Sequence, residues 1–200
     1  MATYSISNAP KLSNLNEFRT VAGKDRDFSK STRFAVQIGK LAGVFPDLIY
    51  MCESAEMPGR SFSLQDFRYY GPSFKLPTIS EYSDMTLSFL VRDVMREREV
   101  FDNWMTYINP KNTYDFRFLK DYSSDVSIYQ FSEIADQGAT YKITLRRAYP
   151  ITVAAMPLSW MDENIHRLQV TFTFTDWLTD PEGQINSDEL SQISPFTRQA

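Results

Sequence analysis

Two hundred residues, 42% hydrophobic and 14% aromatic, are enough to bury one respectable core, and that length sets the expectation of one domain. Twenty-one Lys and Arg against 25 Asp and Glu leave a net charge of -4, which argues against tight binding to DNA, because proteins that neutralise phosphates are normally basic. The single cysteine, Cys52, excludes an intramolecular disulfide framework and suits a reducing compartment, and no apolar run approaches the ~18 residues of a membrane helix, so no membrane anchor is expected.

Residues 1–30 are rich in Ser, Asn and charge with little periodicity, and read as an N-terminal arm that is either frayed or ordered on a neighbour. Nothing in them has the pattern of a signal peptide. The first strand is expected from Ser31 to Gly39, where Phe34, Val36 and Ile38 alternate with Arg33, Ala35 and Gln37. Gly39 and Gly43 bracket a turn, and a second strand is expected from Leu48 to Ala55, ending at Met57-Pro58-Gly59. Between Arg60 and Ile79, Phe62, Leu64 and Asp66 keep one phase and Phe67 and Tyr69 take the other, which predicts a bulge or a two-sided surface. Gly71-Pro72 reads as the turn of a long hairpin whose return strand, carrying Pro77, belongs at an edge. Such a ribbon, with Phe62, Phe67, Tyr69, Tyr70 and Phe74, either folds onto its own core or packs on another molecule.

A short strand follows at Met85 to Val91, and Asp93 is positioned to cap the next helix. From Arg96 to Ile108 the residues Val100, Phe101, Trp104, Met105 and Ile108 form one stripe at helical spacing, a core face that Asn109-Pro110 ends. A polar and aromatic loop leads to a strand around Val126 to Phe131, and Gln137-Gly138 turns the chain. In TYKITLRRA, Tyr141, Ile143 and Leu145 face one way, and Tyr149-Pro150 then reads as a turn into the loop ITVAAMPLSW and the acidic turn Asp162-Glu163-Asn164. In LQVTFTFTDW, Leu168, Val170, Phe172 and Phe174 alternate with Gln169, Thr171, Thr173 and Thr175. Residues 178–200 form an acidic tail. The whole predicts a mainly β domain over 31–177: two packed antiparallel sheets closing toward a barrel, one flanking α-helix and one projecting β-hairpin, with Phe101, Trp104, Trp160, Phe172 and Phe174 in the core.

The block from Thr140 to Trp177, with its order of strand, Tyr149-Pro150, Val153, Leu158-x-Trp160, acidic turn, alternating strand and terminal Trp177, resembles the C-terminal half of contractile-tail bacteriophage tube proteins. Upstream, Cys52, Ala55 and Pro58 at three-residue intervals and the Phe101-x-x-Trp104 core of EREVFDNWMTYI resemble the same family, in the same order. The resemblance covers about Ser31 to Trp177 and neither end. It implies a structural subunit without enzymatic activity or cofactor. Copies of the chain would form hexameric rings stacked into the inner tube of a tail, with the hairpin packing on another subunit and the helix outside the lumen. It further implies a tail sheath protein, baseplate and tape-measure proteins as partners. DNA would pass through the lumen without tight binding, and the protein would be located in the virion tail after assembly in the host bacterial cytoplasm.

Chemistry-bearing patterns are sparse. His166 has no second histidine or cysteine partner for a metal, and it reads as a turn residue. Neither a Gly-x-Ser-x-Gly elbow nor a glycine-rich phosphate loop ending in Lys-Ser or Lys-Thr occurs, and Asp180-Pro181-Glu182-Gly183 lacks calcium-loop spacing. Carboxylate pairs such as Asp121 with Asp125, or Asp162 with Glu163, are what solvated loops contain. Three alternatives to the phage tube remain open: a tube subunit of a related contractile injection or type VI secretion system, a tube-like baseplate initiator, and a monomeric β-barrel binding module.

Overall fold

Alternation of apolar and polar side chains commits a strand to one buried face, and the strands obey it throughout the core of this computed structural model. Residues 29–132, 139–161 and 163–179 are described. By contacts the chain divides into Met1–Thr32 and Arg33–Ala200, and every described strand and helix belongs to the second unit. The strands are β1 (Phe34–Ile38), β2 (Cys52–Ala55), β3 (Arg60–Phe67), β4 (Phe74–Tyr82), β5 (Met85–Leu90), β6 (Ser124–Phe131), β7 (Ala139–Val153), β8 (Arg167–Thr173) and β9 (Asp176–Thr179). The helices are α1 (Gly39–Ala42), α2 (Leu48–Met51), α3 (Arg96–Ile108) and α4 (Leu119–Tyr122).

All pairings are antiparallel, and seven strands share one sheet in the order β1-β6-β7-β8-β5-β2, with β9 also on β7. The long strand β7 serves two half-sheets. Its first part pairs with β6 on one side and β9 on the other; its last part, from Tyr149 to Val153, pairs with β8. Between the two parts Arg146 and Arg147 are both exposed, Arg147 has a positive φ of 54°, and the inward phase shifts from Ile143 and Leu145 to Ala148 and Pro150. Tyr149-Pro150 is therefore part of a strand and not a turn. The last rung with β6 is Ser124 to Ala148, so Pro150 has a ladder neighbour on one side only, where a strand tolerates proline.

The two half-sheets pack without closing into a barrel. The outer strands β1 and β2 approach each other, but no ladder joins them among the described residues. Residues expected to extend the second strand form the helical turn α2 instead, held by Leu48 N–H to Phe45 C=O (3.3 Å) and Tyr50 N–H to Asp47 C=O (3.0 Å). Leu48 is buried, and α2 packs against β1 and β5, filling the gap that a closing strand would need.

Helix α3 has the predicted bounds and lays its stripe on β5 and β8. Phe101 sits 5.2 Å from Phe89 and 6.1 Å from Phe172 between ring centroids, and Trp104 stands edge-on to Phe172 at 6.1 Å. The Trp104 indole N–H donates to the Tyr122 carbonyl at 2.9 Å, so its one polar atom is satisfied on burial. Phe101, Trp104 and Phe172 are buried, and Phe174 is half-buried against Tyr82. Trp160 is the exception: it is fully exposed, because it lies in the loop between β7 and β8, outside any ladder or helix stripe that would turn it inward.

The start of α3 is not capped by Asp93. Met95, at a φ of 57°, precedes the helix without a side-chain cap. The buried carboxylate of Glu97 accepts from the backbone N–H of Arg92 (3.1 Å) and from its Nε (2.7 Å). Arg92 in turn reaches Asp47 at 3.2 Å and lies over the Phe45 ring, which fastens the helix start to the segment before α2. Burial pushes the Glu97 carboxyl upward, but the hydrogen bonds and the guanidinium outweigh it and hold it below its ordinary value.

A group whose folded pKa is depressed contributes stability above its unfolded value, about 4.3 for Glu, and loses it as pH falls through the folded one. Glu97→Gln removes that dependence and weakens the bonds to Arg92. The variant is expected to be less stable at pH 7, on the order of 1–3 kcal/mol, with a shallower loss below about pH 4.5. Denaturant melts from pH 7 to 3 check this; parallel curves for the two proteins would contradict it. Trp104→Ala, which opens a cavity under β8, is expected to cost about 3–5 kcal/mol in the same melts, and a loss under about 1 kcal/mol would contradict its place in the core.

Candidate assembly surface

The strands β3 and β4 form a two-stranded sheet of their own, with no third strand beside them among the described residues. Their register runs from Arg60 opposite Tyr82 to Phe67 opposite Phe74, slipping between Ser63 and Leu64 so that Thr78 is the extra residue. Alternation and register together put Phe62, Leu64 and Pro77 on one face, and Phe67, Phe74, Leu76 and Ile79 on the other. All of these except Pro77 are large hydrophobic side chains, and each is exposed. Both faces of the ribbon are therefore apolar and uncovered.

Local contacts hold the ribbon in shape without hiding it. Phe67 and Phe74 stack at 6.1 Å, Arg60 lies 5.0 Å over the Phe62 ring, Ser63 donates to Glu81 (2.6 Å), and Thr78 donates to the Ser63 carbonyl (3.0 Å). At the base Tyr82 meets Phe174 edge-on at 6.2 Å. At the tip Gly71 takes a φ of 86°, which a side chain would resist, and Tyr69 and Tyr70 are 91% and 96% exposed. Of the residues singled out from the sequence, Phe62, Phe67, Tyr69, Tyr70 and Phe74 share this one element. Sequence reasoning misses Leu76 and Ile79; their signal is that the slip at Thr78 returns both to the Phe67 face.

Groups able to do chemistry are not assembled anywhere comparable. Among the described residues no set of three His, Cys, Asp or Glu could hold a metal ion. Burial pushes the Cys52 thiol up to about 12, against a weak bond to the Ser54 carbonyl, so it stays protonated and unreactive at neutral pH. The other ionic contacts, Arg146 with Asp176 and Arg167 with Glu53 (2.6 Å), tie strands together at the surface. No described helix is long and apolar enough to cross a membrane.

A ribbon exposed on both faces, beside a sheet with unpaired outer strands, fits a subunit built for a larger assembly, and comparison with known proteins agrees. The family model for phage tail tube protein matches residues 9–180. The chain belongs to that family. No curated protein matches it. Among solved structures, a chain of an extracellular contractile injection system, in its PVC sheath-tube complex in the extended state, is 16% identical. The match covers 81% of this chain and 96% of that one, with a TM-score of 0.59. A chain of the anti-feeding prophage tube-terminating cap is 18% identical, with 80% and 98% covered and a TM-score of 0.58. A chain of the anti-feeding prophage baseplate is 13% identical, with 79% and 98% covered and a TM-score of 0.56. At these identities the likeness shows the fold. As a tail tube protein the chain is a structural component of a tube.

Replacing Phe62 and Phe67 by Ser removes one apolar anchor from each face of the ribbon and none from the core. The double variant is expected to melt within about 1 kcal/mol of the native chain, as exposed substitutions do, and to fail to assemble. Sedimentation checks the second part and circular dichroism the first. Loss of the cooperative melt would make the hairpin part of the internal core.

Proposed function

We propose that this tail tube protein forms hexameric rings that stack into the inner tube of a contractile phage tail, enclosed by a sheath and anchored on a baseplate, and that the tube conducts DNA during ejection. The observation that carries the reading is the ribbon of β3 and β4, whose two apolar faces are left bare by its own subunit. A ribbon of two strands is marginal in water and gains stability once other surfaces cover it. The unpaired edges of β1 and β2 are available to neighbours around a ring, which removes an aggregation hazard by making it a contact.

The conduit role is supported by the chemistry of the solvent-facing strand positions. Thr86 and Thr171 meet at 3.3 Å, Ser127 and Thr144 at 3.3 Å, and Gln169 lies beside them on β8. Neutral hydroxyl and amide rows with a net charge of -4 give a polyanion little to pair with, and each Lys or Arg contact avoided is one fewer to break during passage. A second reading, the tube of an extracellular contractile injection machine, is supported by the likeness of fold to such a system and differs in what the tube carries.

Electron microscopy of the purified full chain is expected to show hollow tubes or stacked rings; a uniform population of monomers would overturn the reading. Duplex DNA titrated against those assemblies near 0.15 M salt, where charges are screened beyond about 8 Å, is expected to show no micromolar binding. Micromolar affinity with a steep inverse dependence on salt would overturn the inert conduit.

A further inference from the structure

The loop between β7 and β8 is a second bare apolar surface. Leu158, Trp160, Met161 and Ile165 are exposed, and Leu158, Trp160 and Ile165 border a hollow that His166 and Arg167 complete. Asp162 and Glu163 make the loop negative, and Glu163 has no ion-pair partner among the described residues. Arg167, the nearest cation in sequence, is already taken by Glu53. The hairpin tip has the opposite balance. From Asp66 to Lys75 it carries two cations, Arg68 and Lys75, against one anion, Asp66, and neither cation forms an ion pair with a described residue.

The two surfaces sit at opposite ends of the same pair of strands. The hairpin enters β5 at Met85, which pairs with Phe172 at the end of β8; the loop enters β8 at Arg167, which pairs with Leu90 at the other end of β5. Their attachment points are separated by the length of that ladder, roughly 17 Å at 3.3 Å per residue. Two complementary patches at opposite ends of one subunit make a heterologous contact, the kind that repeats along an axis without closing.

We propose that the hairpin tip of one copy of this chain seats on the β7–β8 loop of the next copy, head to tail. Tyr69 and Tyr70 pack against Leu158 and Trp160, and Arg68 and Lys75 face the negative loop around Glu163. The occupant is a second copy because charge, apolar character and position match between two surfaces that one subunit holds at opposite ends. The contact rests on the tube reading above and adds to it the surface that receives the hairpin. Electrostatics at its rim set register and rate, while the aromatic centre supplies most of the affinity.

The test uses the full chain under assembly conditions, with p-benzoylphenylalanine in place of Trp160 and a mixture of isotopically light and heavy protein. Irradiation is expected to give light-to-heavy adducts mapping to Arg60–Tyr82. In parallel, Arg68→Glu alone and Asp162→Lys with Glu163→Lys are each expected to lower the assembled fraction about tenfold, equivalent to about 1.4 kcal/mol. The three changes together restore complementarity with reversed signs and are expected to recover assembly to within about threefold of the native chain. Adducts outside the hairpin, or a triple variant no better than the worse parent, overturn the contact. If those results come with native tubes that the Phe62→Ser, Phe67→Ser variant cannot form, the tube reading stands and only this contact falls. A native chain that never assembles overturns both.

Discussion

The bend of β7 at Arg146-Arg147 is the constraint on which the rest of the sheet depends. Because β7 lies in both half-sheets, the phase shift at the bend lets Ile143 and Leu145 point into one half of the core while Ala148 and Pro150 point into the other. Without the extra residue, every side chain beyond it would face solvent. The positive φ of Arg147 carries a cost that the surroundings offset: its N–H is held by the Asp125 carboxylate at 3.1 Å, and Arg146 binds Asp176 through two bonds, Nε to Oδ1 at 2.7 Å and Nη2 to Oδ2. Asp176 opens β9, so the same ion pair positions the strand that resumes after the break at Phe174-Thr175. The Arg146 side chain holds the Asp176 carboxyl below its usual value, consistent with a contact kept at neutral pH.

Once the two half-sheets are set at an angle, the helix has one place to go. Phe89, Phe101, Phe172 and Trp104 form a chain of tilted and edge-to-face rings between α3 and the β5–β8 pair. The polar atoms that burial traps there are answered locally, the indole by Tyr122 and the Glu97 carboxylate by Arg92. Tyr122 also stands edge-on to Tyr149, two residues past the bend, so the packing of α3 is connected through α4 to the geometry of β7.

What can be read from the sequence is whatever repeats. The alternation at Leu168, Val170 and Phe172 and the helical stripe through Phe101, Trp104 and Ile108 identify β8 and α3, and the stripe matches the bounds of α3. What cannot be read is what a single residue decides. Pro150 signals a turn in isolation, yet it sits inside β7 because its neighbour β6 has ended. Leu48 to Met51 is apolar in any conformation, and hydrogen bonds to Phe45 and Asp47 make it a helical turn. The order of aromatic residues around Trp160 suggests a core position, but a loop has no period to direct a side chain inward, and the indole is exposed. Glu97 carries no sign in the sequence of being the buried carboxylate that anchors α3, because its partner, Arg92, comes from the turn before the helix. The hairpin is legible as a unit, since its two apolar phases and its prolines conflict with a one-sided core strand.

That conflict explains why the chain tolerates so much exposed aromatic surface. A third strand laid beside β3 or β4 would cover the edges but neither face, and a helix on one face would leave the other bare; only surfaces on two sides dry such a ribbon. Within one subunit the described residues supply neither. A net charge of -4 adds a repulsion between free copies that acts at long range, while the local positive excess at the tip and the negative loop act only when copies approach in one orientation. Long-range repulsion with short-range, oriented attraction disfavours random clustering of Phe62, Phe67 and Phe74 and favours ordered addition. The apolar ribbon is then an aggregation hazard only in copies that meet out of register, and the charges flanking it are what make those encounters short.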